Sequence, residues 1–304
     1  MSRNLAASIR ARLKNHADAA GEDFNLTLTR YGLERLLYRL SASTHAGRFL
    51  LKGALLFSLW YDQPRRPTRD ADLLAFGPDA IDAMVDTFRE ICAVPCDDGL
   101  ILDPGSVRGA EIRKSAGYGG VRIELQARLD GARISLQADV GFGDVVTPGP
   151  VPVSFPLLLA GLPAPQLRAY PKATVIAEKL HAICLLGLAN TRMKDYFDLD
   201  LLLQDDALDP AELRRAIEAT FRRRKFSLPG DWPAGLSDVF AADLVKQAQW
   251  SAFLRKNRLQ AVPLPAVVGR LRAGLSRIGA AAQLGLRVRR AERPSVSPSM
   301  ADRV

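Results

Sequence analysis

Two aspartates one residue apart carry the clearest chemical signal in the chain. Asp70 and Asp72 alternate with apolar residues in the run Asp-Ala-Asp-Leu-Leu, which is typical of a short strand, and residues two apart in a strand point to one face of a sheet. Because two carboxylates on one face repel each other, we expect a cation between them. Hard divalent cations such as Mg²⁺ or Mn²⁺ prefer oxygen ligands of this kind. The pair therefore predicts a divalent-cation site.

A second chemical signal lies just upstream of this pair. The run Phe49–Phe57 predicts a strand that turns at Gly53 into an apolar helix. The start of a helix offers free backbone N–H groups and the positive end of a dipole to a phosphate. Lys52, at the end of the strand, is then a predicted phosphate contact, and a cationic residue at the rim of an apolar strand is the alternative. A phosphate site beside a cation site is what nucleotidyl transfer requires.

The order of these parts resembles the polymerase-beta-type nucleotidyltransferases, and within them the AbiEii/AbiGii toxin family of bacterial toxin–antitoxin and phage-defence systems. Ala54 stands where the wider superfamily has a serine, and 16 residues separate Gly53 from Asp70. Both departures are features of this one branch. The resemblance covers about residues 24–205 and is carried by four stretches: Lys52-Gly53-Ala54, Arg66-x-Thr68-x-Asp70-x-Asp72, the leading helix Tyr31–Ser41, and Ala177–Ala182 followed by Asn190–Leu199.

The resemblance implies a fold and a third acid. The fold would be α/β (α+β), with a polymerase-beta-type nucleotidyltransferase core built on a small mixed sheet and a C-terminal helical region. Asp139, on the polar face of a predicted strand, would join Asp70 and Asp72 in binding metal, because two-metal transfer needs about three carboxylates. It could also act as the general base. An exposed strand acid is the alternative interpretation of Asp139.

The resemblance also assigns roles to the second half of the chain. Lys179 and Asp195 would lie around the nucleotide and act in catalysis. Arg192 and Lys194 would contact the triphosphate or the acceptor. The residues themselves leave simpler interpretations open, because Lys179 could be a surface lysine that buries only its stem. Lys194 and Asp198 are four apart on a predicted helix and could form a surface ion pair.

Three further residues near these motifs receive weaker predictions. Arg66 and Thr68 could contact phosphate or support the strand, and support is favoured. His181 is the one histidine near a motif, and it is predicted to be structural. The chain has three histidines and three cysteines, and no Ser/His/Asp or Cys/His arrangement indicates a covalent nucleophile.

The composition narrows the class of protein. The chain has 304 residues, of which 48% are hydrophobic and 25% charged, as in ordinary globular proteins. It has no apolar run near the ~18 residues of a membrane span, and its start lacks the apolar core of a signal peptide, so the cytoplasm is the predicted location. Cys92, Cys96 and Cys184 are too few for a disulfide framework.

The net charge of +9 is concentrated in the C-terminal third. A basic surface attracts polyanions such as nucleic acids, whereas a solvated face is the alternative, and the sequence favours neither. The basic runs are Arg222–Lys225, Arg255–Arg258 and Arg287–Arg293.

The organisation of the chain follows from its patterning. Asp130-Gly131 predicts a hairpin turn between two strands. Seven prolines between residues 148 and 171 predict an irregular crossover, beyond which the pattern is helical over 173–187, 191–204, 210–224, 238–256 and 263–283. We therefore predict a catalytic domain over 1–165, a helical domain over 166–285 and a disordered basic tail over 286–304.

The resemblance implies a toxin that transfers a nucleoside monophosphate from a nucleoside triphosphate to the 3′ end of tRNA, blocking translation. Its partner would be a cognate antitoxin that represses transcription by binding DNA. A protein or small-molecule acceptor is the nearest alternative. An inactive nucleic-acid-binding module would be expected to have lost acids that are all present here, and a metal-dependent phosphohydrolase would not explain the Lys52-Gly53 turn.

Overall fold

The computed structural model describes residues 3–61, 67–113, 119–227 and 231–277. It shows a mixed α/β fold in which a seven-stranded sheet is followed by a helical region. The strands are β1 (Phe49–Lys52), β2 (Asp70–Ala75), β3 (Ile101–Arg113), β4 (Gly119–Leu129), β5 (Ala132–Phe142), β6 (Val151–Ser154) and β7 (Gln166–Ala169). The helices are α1 (Arg3–Ala20), α2 (Phe24–Ala42), α3 (Phe57–Trp60), α4 (Ile81–Ala93), α5 (Lys172–Leu186), α6 (Met193–Leu202), α7 (Pro210–Arg223), α8 (Asp238–Ala242), α9 (Leu244–Asn257) and α10 (Leu264–Arg277).

The strands lie in the order β3-β4-β5-β2-β1-β7-β6. β2 runs parallel to β5 and antiparallel to β1, and β4 runs antiparallel to β5. The strands that carry Asp72 and Asp139 are therefore direct neighbours at the centre of the sheet.

One face of the sheet is covered by α2. Leu136, Ala138 and Val140 of β5 are buried, and a Cβ added to Gly32 of α2 would lie 2.7 Å from Leu136 Cδ2. Because side chains alternate along a strand, Gln137 and Asp139 project from the opposite face. That face remains available for chemistry.

The predicted hairpin is confirmed. Asp130 and Gly131 have φ values of 44° and 80°, and a two-residue type I′ turn requires positive φ at both positions. The turn joins β4 to β5 with Arg122 opposite Asp139.

Three strands of the structure were not predicted from the sequence pattern. Pro104-Gly105 interrupts β3, where the pairing with β4 shifts between Asp103 and Arg108, so regular alternation is lost. β6 and β7 lie within the proline-rich stretch that we expected to be irregular, and Pro152 is tolerated because β6 is an edge strand. The predicted boundary at 165/166 falls just before β7, which pairs with β1. The division into domains stays a prediction.

The helical region follows the predicted pattern, with one correction. A single helix over 238–256 is wrong, because Asp243 has extended dihedrals and its side chain accepts from the N–H groups of Val245 and Lys246, so it caps α9 and separates it from α8. The tail 286–304 lies outside the described residues. Within the described ranges, no helix has both the length and the apolarity that crossing a membrane would need.

Candidate active site

Four charged residues form a row across four adjacent strands. The register pairs Lys52 with Asp72, Asp72 with Asp139, and Asp139 with Arg122. Asp70 lies two residues before Asp72 on β2, as predicted. The sheet thus gathers acids from separate parts of the chain on one line, with a cation at each end.

The pair Asp70 and Asp72 concentrates negative charge. Burial raises the pKa of Asp72, and Asp70 and Asp139 raise it further, against the opposing charges of Lys52 and Lys194. A site that disfavours its own carboxylate charge is one that a bound cation would stabilise.

Two neighbours of the acid pair fix its geometry. Thr68 donates a hydrogen bond of 2.6 Å from Oγ1 to Asp70 Oδ1, which is the supporting position that we favoured. Gly53 has a φ of 73°, and a Cβ added there would lie 2.6 Å from both Cβ and Cγ of Asp72. Glycine is therefore required at position 53 for its dihedral and for space.

The predicted helix start at Gly53 needs correction. Residues Gly53–Leu56 form a 3₁₀ turn, followed by the single α-helical turn of α3. The positive φ of Gly53 lies outside the helical region, so the chain leaves β1 in a turn and a long helix does not begin there. Backbone N–H groups can still contact a phosphate here, without the dipole of a long helix.

Asp139 lies in the row but is bound to Arg122. The guanidinium donates from Nε and Nη2 to the two carboxylate oxygens at 2.9 and 2.8 Å, and Gln137 donates at 3.2 Å. The Asp139 side chain is 15% exposed, so it is not a freely exposed strand acid. Among the described residues no three His, Cys, Asp or Glu side chains are close enough together to hold a metal ion, and the three-acid metal set stays a prediction.

Lys52 also has partners that we did not predict. Its Nζ lies 3.0 Å from Asp144 Oδ2 and 3.2 Å from Glu178 Oε1, and the side chain lies 5.0 Å from the centre of the Tyr170 ring. Burial lowers the pKa of Lys52, but Glu178, Tyr170 and Asp144 outweigh it and raise the pKa well above its usual value. The lysine is thus firmly charged.

The second motif forms a compact ion cluster between α5 and α6. Lys179 Nζ lies 3.1 Å from Asp195 and 2.6 Å from Asp198, and Arg192 Nε lies 2.6 Å from Asp195. Burial raises the pKa of Asp195, but Lys179 and Arg192 overcome this effect and lower it. The surface interpretations of this motif are wrong, because Asp198 is buried and pairs with Lys179 of α5, while Lys194 is exposed.

A cleft of about 560 Å³ is lined by residues of both the sheet and the helices. Every predicted site residue that the structure describes lines it, and Arg66 lies outside the described residues. The predicted residues in the cleft wall are Lys52, Gly53, Thr68, Asp70, Asp72, Asp139, Lys179, Arg192, Lys194 and Asp195.

Sequence reasoning missed part of the cleft wall. Arg122, Asp144, Glu178 and Arg224 also line it. Arg224 lies in the basic run 222–225, and charge alone does not show that one member of such a run turns inward to contact Asp144 and Glu178 at 3.0 Å. Of these four residues, only Glu178 could have been proposed for the cleft from the sequence, because it lies next to Lys179 in the motif.

His181 has the structural role that we predicted. It packs edge-on against Phe221 and Phe226, and it is 2% exposed. Burial, together with the charge of Arg224, lowers its pKa to about 4. The imidazole is therefore neutral near pH 7.

Comparisons with known proteins identify one family for this chain. The family described as "Nucleotidyl transferase AbiEii toxin, Type IV TA system" matches residues 35–270. No match to a protein of curated function was found. Two crystal structures from Helicobacter pylori, a candidate nucleotidyltransferase and the protein JHP933, align over 83% of this chain and over 93% and 90% of theirs, each with 15% identity and a TM-score of 0.43. At that similarity they carry no argument about function.

Proposed function

The chain belongs to the AbiEii nucleotidyltransferase toxin family of type IV toxin–antitoxin systems, and we propose that it is a Mg²⁺-dependent enzyme that transfers a nucleoside monophosphate from a nucleoside triphosphate to an acceptor hydroxyl. The first acceptor we propose is the 3′ end of tRNA. The observation that carries this proposal is the row Lys52–Asp72–Asp139–Arg122 within a cleft whose opposite wall presents Lys194.

The acid pair fits a divalent cation. Asp70 and Asp72 would hold Mg²⁺ or Mn²⁺, and the fit rests on the donor set, two carboxylates two residues apart on β2 with Asp139 in register on β5. Such an ion, when bound, would activate the acceptor hydroxyl and neutralise charge on the triphosphate. Asp139 would join this set once it is released from Arg122.

The cations of the cleft would hold the triphosphate. Lys194 is exposed and lines the cleft, and its charge lowers the pKa of both Asp72 and Asp195. Arg192 is half-exposed beside it, and Lys52 lies beside Asp72. In the reaction the acceptor oxygen would bond to the α-phosphorus, pyrophosphate would leave, and Asp139 would accept the hydroxyl proton.

A basic surface beside the cleft supports a polyanionic acceptor. Arg222, Arg223 and Lys225 are exposed at the end of α7, and Arg223 Nε donates a 2.7 Å hydrogen bond to Gly143 O. Gly143 adjoins Asp144, which lines the cleft. Positive charge therefore extends to the site, where it would attract the phosphates of an RNA.

The family also implies an antitoxin partner. We propose that this partner is a DNA-binding repressor and that the system acts in the cytoplasm, where tRNA and nucleoside triphosphates are available. Modification of tRNA would then arrest growth and contribute to phage defence. These assignments rest on the family.

Incubation of the protein with total tRNA, Mg²⁺ and each α-³²P-labelled nucleoside triphosphate in turn tests the proposal. We expect label on tRNA with at least one nucleotide, and its loss in Asp70→Asn and Asp72→Asn variants of unchanged fold. Label on a protein and not on tRNA would show that the acceptor is a protein. If no acceptor is labelled with any of the nucleotides, the result would favour an inactive binding module and contradict the proposal.

A further inference from the structure

Four buried or half-buried charges close into a ring in the wall of the cleft. We call Lys52, Asp144, Glu178 and Arg224 the charge ring. Lys52 Nζ contacts Asp144 at 3.0 Å and Glu178 at 3.2 Å, and Arg224 Nη2 contacts the same two carboxylates at 3.0 Å each. Each anion thus bridges both cations, and the formal charges sum to zero.

The ring joins the sheet to the helices. Lys52 ends β1 and Asp144 follows β5, whereas Glu178 lies in α5 and Arg224 follows α7. Two of the four contacts cross from one part to the other. Because Lys52 pairs in register with Asp72, the ring lies one strand from the acid pair.

His181 orients the guanidinium of Arg224. Arg224 Nη1 lies 3.3 Å from His181 Nδ1, and a neutral imidazole can accept a hydrogen bond there. His181 is one helical turn after Glu178 on α5, so these two residues share a face. Arg224 is thus held by three side chains at once.

We propose that Arg224 is a positioning residue for the nucleoside triphosphate, acting through Lys52. Arg224 balances Asp144 and Glu178, so the ammonium of Lys52 stays at the cleft wall beside Asp72 and does not have to neutralise both carboxylates alone. Without Arg224, two carboxylates would share one cation, and the excess negative charge would repel a triphosphate and draw Lys52 away from it. This inference rests on the proposed function and names a residue that determines its nucleotide affinity.

Charge-matched variants test this role. Arg224→Gln is expected to weaken binding of a non-hydrolysable nucleoside triphosphate with Mg²⁺ on the order of tenfold, since loss of one partner leaves a buried charge uncompensated. Its KM for nucleotide should rise while kcat changes much less. Arg215→Gln removes an exposed arginine from the preceding helix α7 and should leave binding unchanged.

A double variant separates charge balance from simple loss of structure. Arg224→Gln with Glu178→Gln restores a ring charge of zero and should recover most of the lost affinity, and Arg224→Lys should recover part of it. Nucleotide affinity in Arg224→Gln equal to that of Arg215→Gln, or a double variant weaker than Arg224→Gln, would overturn the inference.

Direct binding keeps this test distinct from that of the proposed function. Wild-type protein that binds nucleotide but transfers no label would refute the transfer reaction, and the binding series would still decide the role of Arg224. Wild-type protein that binds no nucleotide would overturn the inference itself.

Discussion

Replacement of Gly53 by alanine should disable the site while leaving most of the fold intact. Gly53 has a φ of 73°, which costs a residue with a Cβ about 1–2 kcal/mol. The new methyl group would lie 2.6 Å from Cβ and Cγ of Asp72, and an ordinary contact needs 3.4 Å. Cβ of Asp72 must therefore move by about 0.8 Å, and its Oδ2, which lies closer still to the new methyl group, must move further.

That displacement sets the expected loss of activity. A shift of about 1 Å in a reacting group can lower a rate on the order of 100-fold, and we expect a loss of this size in label transfer. Over-packing should add about 1–3 kcal/mol to the loss of stability. Label transfer at saturating nucleotide and urea denaturation measure the two effects.

Gly131→Ala provides the matched control. Gly131 has a φ of 80°, but nothing lies within 4 Å of its added Cβ. The Gly131→Ala protein should lose the same ~1–2 kcal/mol of stability through backbone strain and keep its activity. Equal activity in the Gly53→Ala and Gly131→Ala proteins would refute the argument that position 53 is glycine to make room for Asp72.

Further predictions concern the charges of the cleft. Lys179→Met leaves two buried carboxylates without this cation and should lower the free energy of unfolding by about 3–5 kcal/mol. Lys194→Met should change the free energy of unfolding by about 0.5 kcal/mol or less and impair transfer. Equal free energies of unfolding for the two variants in urea would contradict the claim that Lys179 is paired with buried acids while Lys194 is exposed. Asp72→Asn should raise the melting temperature at pH 7, because burial and Asp70 raise the pKa of this carboxyl and so make its charge unfavourable in the folded state. The same change should reduce transfer at least about 100-fold. A lower melting temperature would count against the argument from burial. Burial raises the pKa of Asp144, but Lys52 and Arg224 outweigh it and hold the pKa below its usual value, so the stabilisation is complete above the unfolded pKa of about 4 and is lost as pH falls below it. Asp144→Asn should therefore flatten the fall of the melting temperature between about pH 5 and 2, and an unchanged slope would show that other carboxyls cause it.

The local patterns predicted most of the fold. Alternation around Asp70 and Asp72, and the Asp130-Gly131 turn, were sufficient to place β2, β4 and β5, because their signals lie within a few residues. β3, β6 and β7 were missed because Pro104-Gly105 and the prolines of 148–171 break the alternation that identifies strands. Tertiary pairing, which a local pattern does not contain, makes these segments strands.

The candidate site shows the same division. Motif residues such as Asp139 and Lys179 were identified because their positions match a family pattern, and the structure brings them to one cleft. The partners Arg122, Asp144 and Arg224 were not, since an ion pair between residues such as 144 and 224 depends on how β5 and α7 meet in space. Asp198 illustrates the opposite error: its spacing from Lys194 suggested a surface pair, but helix packing turns it toward Lys179.

The most direct test of the central claim is the fate of the two labelled phosphates of one nucleotide. Parallel reactions with tRNA would use the accepted nucleoside triphosphate carrying ³²P at the α or at the γ position. Nucleotidyl transfer predicts label on tRNA from the α position and none from the γ position, which leaves in pyrophosphate. Label from the γ position on tRNA would show phosphoryl transfer and contradict the account.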